Sequence, residues 1–217
     1  MPEGTTPRHL APRIAAASSL LADIEREHSP AAFASSLGAE DMVVLDLIAR
    51  VQVVYGITVE TFRPRTKPVE AYVKKYGIDG FYEGVGQRKA CCHVRKVEPL
   101  GRALRDKKAW ITGLRREQAP TRAVIYEKEF DEVHHLWKFN PLAAWTSEDV
   151  WAYIRSRNVP YNALHDRGYP SIGCEPCTRA VKPGEDPRAG RWWWEQEGER
   201  KECGLHEIPI RIERAVK

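Results

Sequence analysis

The chain has 217 residues, of which 42% are hydrophobic and 29% charged, and its formal net charge is +4. These values fit one globular domain with its own core and exclude collagen, a coiled coil and wholesale disorder. No window approaches the roughly 18 consecutive apolar residues of a membrane span, and the small positive charge does not by itself predict nucleic-acid binding. We therefore expect a soluble, cytoplasmic protein that binds neither membranes nor nucleic acids.

Predicted helices and strands alternate through the first half of the chain. Apolar spacing predicts a leading helix over residues 14–28, and residues 31–37 fit a short buried strand that ends in a small-residue turn before a second helix. The elements after them are a strand at 57–62, helices at 69–76 and 94–106, and a strand at 109–114. Alternation of this kind predicts an α/β fold built on a parallel sheet.

The last third of the chain has one further predicted helix and then loses its periodicity. A helix start is predicted at residues 146–149, followed by a helix over 150–157 that stops near Pro160. Proline and glycine recur beyond Gly173, so we expect one α/β domain over residues 1–181 and a mobile tail over 182–217. Three consecutive tryptophans at 192–194 are expected to hold that tail against the body of the protein or against a partner, and packing is the favoured interpretation.

The five cysteines occur as an adjacent pair, a C-x-x-C pair and a single residue near the C-terminus. This arrangement does not fit a secreted disulfide scaffold and indicates cytosolic thiols. Four thiolates in two close pairs, Cys91 with Cys92 and Cys174 with Cys177, are the usual count for an iron-sulfur cluster or a tetrathiolate zinc site. Adjacent cysteines suit the wider cluster better than tetrahedral zinc. Disulfides or plain buried thiols are the alternatives without metal.

The single cysteine, Cys203, lies in a polar, glycine-bearing segment. Lys201 and His206 would lower the pKa of its thiol, whereas Glu202 would oppose them. A nucleophilic thiolate is one interpretation of this residue, and an incidental tail thiol is the other.

Two strand-to-helix junctions and several basic residues offer places for an anion. The turn at 35–39 combines hydroxyls, a glycine and helix N-terminal N–H groups, although a small-residue turn of this kind also serves packing alone. The segment 113–118 follows a predicted strand where parallel sheets bind ligands, although it also fits a solvated charged loop. The basic residues that complete a candidate anion pocket are Arg122, Arg95, Lys96, Arg188 and Arg191.

These motifs together resemble those of assimilatory adenylyl-sulfate reductases of the bacterial iron-sulfur type, within the wider adenylyl-sulfate and phosphoadenylyl-sulfate reductase family. The similar segments are residues 35–41, 91–96, 113–118, 160–177 and 202–206, and all five cysteines fall on family positions. The resemblance covers about residues 31–206. It implies a parallel-sheet core of the adenine nucleotide alpha hydrolase-like, Rossmann-like class with a flexible C-terminal tail.

The resemblance also implies a role for particular residues. One 4Fe-4S cluster is expected on Cys91, Cys92, Cys174 and Cys177, and it is not expected to pass electrons to the substrate. Cys203 is expected to be the catalytic nucleophile, carried on the mobile tail. The residues expected to bind substrate are Ser35, Lys96, Gly113, Arg122, Arg188, Arg191 and His206.

The implied reaction is the reduction of adenylyl sulfate to sulfite and AMP through an enzyme S-sulfocysteine. Thioredoxin or glutaredoxin would resolve that intermediate, in assimilatory sulfate reduction and cysteine biosynthesis, and relatives suggest a homo-oligomer, a dimer or a tetramer. The two cysteine pairs favour adenylyl sulfate over its 3′-phosphorylated form. The alternatives are a phosphoadenylyl-sulfate reductase and a non-catalytic iron-sulfur or redox-sensing protein.

The sequence departs from the family at one place. Relatives usually carry a further strand, ending in a Leu-Asp-Thr-Gly-Arg-like motif, and a further helix before the segment that corresponds to Tyr55. In this sequence Arg50 runs directly into Val51, so this β-α unit has no counterpart. Deleting a central strand and helix would expose core on both neighbours, which favours a stretch left out of the sequence over a true deletion. A true deletion would remove the motif that borders the nucleoside in the family.

Overall fold

The structure is a computed structural model that describes residues 6–51, 60–195, 202, 204 and 205. Its helices are α1 (Ala11–His28), α2 (Ala39–Val51), α3 (Thr66–Tyr76), α4 (Val85–Cys92), α5 (Glu98–Leu104) and α6 (Ser147–Arg157). Its strands are β1 (Ala31–Phe33), β2 (Ala109–Ile111), β3 (Lys128–Asp131) and β4 (Leu136–Phe139). No described helix combines the length and apolar character that crossing a bilayer requires.

The four described strands form one sheet in the order β1-β2-β4-β3. Strands β1, β2 and β4 are parallel, with Ala31 beside Ala109 and Ala109 beside Trp137, whereas β3 runs antiparallel to β4. A turn of four residues joins β3 to β4, and so short a connection permits only antiparallel pairing. The predicted α/β fold with a parallel sheet is confirmed. The sheet also contains an antiparallel edge strand, β3, which the sequence did not predict.

Helices cover both faces of the sheet. The alternation along β2 sends Ala109 and Ile111 to one face and Trp110 to the other. On the first face, helices α1, α2 and α6 bury Leu, Ile and Val side chains in what we call the main core, which includes Leu21, Leu47 and Ile154. On the second face, α5 contributes to a smaller cluster around Trp110. The sheet therefore stands between two helical layers, and its strand ends remain open for a site.

The start of α6 follows the predicted signal. The Thr146 hydroxyl accepts a hydrogen bond from the Asp149 amide at 3.1 Å, and the Asp149 carboxylate accepts one from the Thr146 amide at 2.8 Å. This reciprocal capping box pairs two amides that the helix itself leaves without acceptors. The helix ends at Arg157, and the left-handed backbone of Asn158 (φ 51°) caps it two residues before Pro160. The predicted helix is therefore confirmed.

Other predicted elements are shorter than expected or lie elsewhere. The strand predicted at 31–37 ends at Phe33, because the following residues form the turn into α2. Of the strand predicted at 57–62, residues 57–59 lie outside the described residues, and residues 60–62 are not in a strand. The helix predicted at 94–106 divides into a π-helical turn (His93–Val97) and α5, since Pro99 has no N–H to continue the α-helical hydrogen bonds. Helix α4 and the β3–β4 hairpin had no sequence prediction.

The first part of the predicted tail is packed against the domain. Arg191 forms an isolated antiparallel β-bridge with Thr178. On either side of it, the Arg179 amide donates to the Gly190 carbonyl at 3.0 Å, and the Trp192 amide donates to the Cys177 carbonyl at 3.1 Å. Trp192 is only 2% exposed. Its large apolar surface accounts for the docking, so the packed part of the domain extends beyond residue 181, to residue 195. The predicted packing of the tryptophan run is confirmed at Trp192.

Strand β1 stands at the edge of the described sheet. Its strand neighbour is β2, and no described strand pairs with its other side. Its three residues are half-buried, whereas those of β2 are buried.

Candidate active site

Both cysteine pairs line one cavity. Cys91 and Cys92 are the last residues of α4, and Cys174 and Cys177 flank a 3-10 turn closed by a 2.9 Å hydrogen bond between their backbones. The cavity has a volume of about 290 Å³, and Lys96 also lines it. All four thiols are free, so the two pairs are not disulfides. The fold therefore joins two pairs that are 82 residues apart in the sequence, counting from Cys92 to Cys174.

The four thiols are close enough to act on one another electrostatically. Burial, together with the charge of the other three cysteines, raises the pKa of Cys177 to about 12. Burial also raises the pKa of Cys91, while the neighbouring Arg95 acts in the opposite direction. Within the described residues, no three His, Cys, Asp or Glu side chains are grouped closely enough to hold one metal ion. A four-iron cluster differs from a single ion because each cysteine binds its own iron, which spreads the four sulfurs apart.

A small apolar cluster adjoins this cavity. Phe81, Cys177 and Trp192 are its buried members, and Cys91 and Trp194 pack beside them. We call these five residues the cysteine core. The tryptophans come from the segment predicted as tail, so the C-terminal part of the chain packs against the cysteine pairs.

The turns that follow β1 and β2 meet at the carboxyl edge of the sheet. The Asp41 carboxylate of α2 accepts hydrogen bonds from the Ser36 amide at 2.6 Å and the Ser36 hydroxyl at 2.8 Å. Burial raises the pKa of Asp41, and the hydrogen bonds from Ser36 act against that rise. A Cβ at Gly113 would collide with the Asp41 carboxylate, so only glycine lets these turns come together. Ser35 itself is exposed, and its hydroxyl accepts from the Leu37 amide.

The two arginines after β2 have structural partners. The Arg115 guanidinium is almost buried and pairs with Glu40 at 2.8 Å and Glu117 at 3.0 Å. Arg116 donates to the Ile125 carbonyl at 2.9 Å. Both side chains therefore connect the loop after β2 to neighbouring segments. The sequence suggested either a ligand-binding arginine pair or a solvated loop, and the structure shows neither.

Two of the predicted substrate-binding cations converge on Glu202. Arg122 holds its carboxylate with two hydrogen bonds, at 3.1 and 3.0 Å, and Arg188 approaches it at 3.5 Å. The Thr121 hydroxyl donates to the same carboxylate at 3.1 Å. Burial alone would raise the pKa of Glu202, but the positive charges of Arg122 and Arg188 lower it below its ordinary value. The cluster is thus a cationic pocket that holds a carboxylate.

A buried ion pair connects this pocket with the cysteine core. Arg88 and Glu195 are 1% and 2% exposed, and their side chains pair at 2.5 and 3.2 Å. Arg88 also lies over the Trp192 ring, 4.4 Å from its centre, and donates to the Glu202 backbone carbonyl at 2.7 Å. Because Arg88 also lines the cysteine cavity, one side chain touches both halves of the site.

The other predicted site residues are placed as follows. Arg191 is buried beside the C-x-x-C loop, where it donates to Ser171 and to the Ile172 carbonyl and lies over the Trp192 ring. Cys203 and His206 lie outside the described residues, although the neighbouring residues 202, 204 and 205 are described. Sequence reasoning missed Arg88, Glu195 and Thr121, since their partners are far away in the chain. It weighed Glu202 only as a neighbour of Cys203.

A parallel-dominated sheet with helices on both faces defines the class of α/β proteins that bind ligands beyond the carboxyl ends of their strands. The fold is shared with the crystal structure of yeast FAD synthetase in complex with FAD, at a TM-score of 0.54 and 14% identity, over 83% of this chain and 70% of that one. Residues 30–180 match the phosphoadenosine phosphosulfate reductase domain. The chain belongs to this family, as the sequence resemblance predicted.

Two further relatives agree with this assignment. The adenosine 5′-phosphosulfate reductase of Burkholderia cepacia is 50% identical over 222 residues, which cover 91% of this chain and 88% of that protein. The crystal structure of phosphoadenylyl-sulfate reductase from Candida auris, a phosphate complex, has a TM-score of 0.59 and 26% identity, over 76% of this chain and 92% of that one.

The alignment with the Burkholderia protein also bears on the β-α unit. It extends over 222 positions, whereas 91% of the 217 residues here is about 197. The relative therefore has about 25 residues without a counterpart in this chain. A strand with a helix has about this length.

Proposed function

We propose that this chain reduces adenylyl sulfate to sulfite and AMP, with Cys203 as the nucleophile. Relatives at about 50% identity are named adenosine 5′-phosphosulfate reductases, which supports both the enzyme class and the substrate. The observation that carries the proposal is the convergence of Arg122 and Arg188 on the residue immediately before Cys203. A nucleophile beside a pocket of guanidinium groups is what attack on an anionic sulfur centre requires.

The proposed chemistry conserves atoms and charge in two steps. The Cys203 thiolate attacks the sulfate sulfur, a sulfur-sulfur bond forms, and the bond from sulfur to the bridging oxygen breaks, so that AMP leaves. Arg122, Arg188 and Lys96 would neutralise the charge on the sulfate and on the departing phosphate. A dithiol reductant then attacks the Cys203 sulfur and releases sulfite, and its second thiol closes a disulfide that frees Cys203 again.

The proposed reductant is thioredoxin or glutaredoxin, in assimilatory sulfate reduction that leads to cysteine biosynthesis. The reductant must reach Cys203 after the first step, so the proposal requires that this thiol be accessible once the adduct has formed. Free cysteines and a thiol-dependent second step both suit a reducing compartment, which supports a cytoplasmic location.

We also propose that the four clustered cysteines hold a 4Fe-4S cluster. Four free thiols around one cavity are the correct number and type of ligand, and two of these cysteines, Cys92 and Cys177, are buried. A bound cluster would supply positive iron charge that stabilises four adjacent thiolates. The test is iron and sulfide analysis of anaerobically purified protein, in which Cys174→Ala loses the cluster and Cys203→Ser retains it.

We further propose that the chain forms a homo-oligomer, either a dimer or a tetramer. Several apolar side chains on and beside the β3–β4 hairpin are exposed, namely Val124, Tyr126, Phe130, Val133 and Trp137. A patch of this kind on an edge strand is typical of a subunit interface. Light scattering of Phe130→Glu, compared with the unchanged protein, tests whether this edge joins copies of the chain.

The experiment that tests the reaction omits the reductant. Anaerobically purified protein is incubated with adenylyl sulfate, and its intact mass and peptides are measured. We expect a sulfite-equivalent adduct on Cys203 in the unchanged protein and none in Cys203→Ser. No adduct in protein that contains its cluster would contradict the enzyme proposal. A faster reaction with the 3′-phosphorylated substrate would favour a phosphoadenylyl-sulfate reductase instead.

A further inference from the structure

The cationic pocket at the proposed substrate site is filled by a group of the protein itself. Arg122 contacts both carboxylate oxygens of Glu202, which is the bidentate geometry that guanidinium groups adopt with carboxylates and with phosphates. Arg188 and Thr121 contact the same carboxylate. Every side chain of this group that binds Glu202 is therefore also a donor that an anionic substrate would use.

The contacts of residue 202 divide between its side chain and its backbone. The carboxylate is held by Arg122, Arg188 and Thr121, whereas the backbone carbonyl is held by Arg88 at 2.7 Å. Glu195 in turn fixes Arg88 within the buried pair. Because the carboxylate and the carbonyl have separate partners, loss of the carboxylate contacts does not require loss of the carbonyl contact.

The pocket also has the burial expected of an anion site. The side chains of Arg122, Arg188 and Glu202 are 12%, 14% and 17% exposed. Two guanidinium groups brought together at this depth repel each other unless a negative charge lies between them. The Glu202 carboxylate lies between the two guanidinium groups and supplies that charge.

We propose that Glu202 is the internal occupant of the anion site, and that the phosphosulfate group of the substrate displaces its carboxylate from Arg122 and Arg188. This inference rests on the proposed function and adds to it a competition within the enzyme. The measured affinity of a nucleotide is then its intrinsic affinity reduced by the fraction of molecules in which the pocket is open. Removing the charge of residue 202 raises that fraction.

The test compares AMP with adenosine in binding to the unchanged protein and to Glu202→Gln. Both proteins carry their cluster, and binding is measured by anaerobic calorimetry. Glutamine keeps the size of the side chain but removes its charge, so we expect the dissociation constant of AMP to fall about fivefold or more. Adenosine has no anionic group to compete for the arginines, so its affinity stays the same and serves as a check on folding.

Glu185→Gln is the matched control. Glu185 belongs to the same C-terminal segment and also makes a two-oxygen pair with an arginine, but within the described residues that partner is Arg179, at 2.9 and 3.2 Å, and not Arg122 or Arg188. Its loss changes the net charge by the same amount. We expect the affinity for AMP to remain that of the unchanged protein.

Two outcomes would overturn the inference. One is a dissociation constant for AMP that is unchanged or higher in Glu202→Gln, as expected if Glu202 only stabilises the fold. The other is an absence of AMP binding to either protein. The adduct experiment on Cys203 is independent of both, so an adduct with unchanged AMP affinity would retain the proposed function and reject the competition. A gain in AMP affinity without an adduct would retain the competition and reject the proposed function.

Discussion

The main core and the cysteine core of this protein are stabilised in different ways. The main core packs aliphatic side chains of three helices against the sheet, with Leu47 and Ile154 each 1% exposed. The cysteine core has few buried apolar residues and depends on Arg88, which pairs with Glu195 and lies over Trp192. Burial of apolar area is non-directional, whereas an ion pair and a ring contact each require a particular geometry. A change of charge should therefore affect the cysteine core first.

The largest expected effect comes from breaking the buried pair. Arg88→Met leaves the Glu195 carboxylate buried without its partner, which costs about 4 kcal/mol of unfolding free energy. Hydrogen exchange should show increased opening around Trp192, while amides of α1 and α6 remain protected. The double variant Arg88→Met, Glu195→Leu should recover much of the loss, because no charge is then buried alone. Equal loss of protection in both cores would contradict the comparison.

Truncating a side chain in the main core should reduce hydrogen-exchange protection over a wider region. Leu47→Ala removes a buried side chain of α2 and leaves a cavity, at a cost of about 3 kcal/mol. Denaturant unfolding measures the loss. Because the main core packs against β1, β2 and β4, protection in hydrogen exchange should fall in both cores together. The conservative variant Leu47→Met should lose much less, and a local effect confined to α2 would show that the main core does not set global stability.

A smaller effect is expected where a cap positions one helix of the main core. Thr146→Ala removes the hydroxyl that accepts from the Asp149 amide and should cost about 1 kcal/mol. Thr146→Ser keeps the hydroxyl and should keep most of the stability. Thermal unfolding of the two variants measures the difference. If both lose the same amount, the methyl group of Thr146 is what matters and the capping argument fails.

The smallest effect is expected from a change of pH at Glu202, which lies between the cysteine core and the cationic pocket. The pKa of Glu202 lies below its ordinary value of 4.5, so folding favours the charged form. Its stabilisation is complete above the ordinary pKa and is lost as the pH falls through the lower folded value. The stability difference between the unchanged protein and Glu202→Gln, about 1 kcal/mol or less, should be constant from pH 8 to about pH 5.5 and vanish at lower pH. A difference that grows as the pH falls would contradict this sign.

Sequence patterns predicted the main core well because its physical basis is periodic. Helical spacing places apolar residues of α1 and α2 on one face, and the Thr146 to Asp149 signal marks where α6 begins. Strand β4 was not predicted, although it is central in the sheet. It has four residues and includes a charged residue, Lys138, which is too little periodicity to separate a strand from a loop.

The sequence likewise predicted some features of the candidate site and not others. The cysteine pairs and the arginines were visible as residue types at characteristic spacings, and the family resemblance joined them into one hypothesis. The pairing of Arg88 with Glu195 crosses 107 positions, and the pairing of Arg122 with Glu202 crosses 80. No local pattern encodes such contacts, since each depends on how separate elements come together.

The amino-acid sequence by itself determined the family, the alternation of helices and strands, and the residues able to perform the chemistry. These properties follow from residue type and short-range spacing, which the chain carries whether or not it is folded. Only the tertiary structure decided that four cysteines share one cavity, that Arg115 is structural, and that Glu202 fills the pocket of Arg122 and Arg188. Those outcomes depend on distances between residues far apart in the chain, which packing of the cores alone sets.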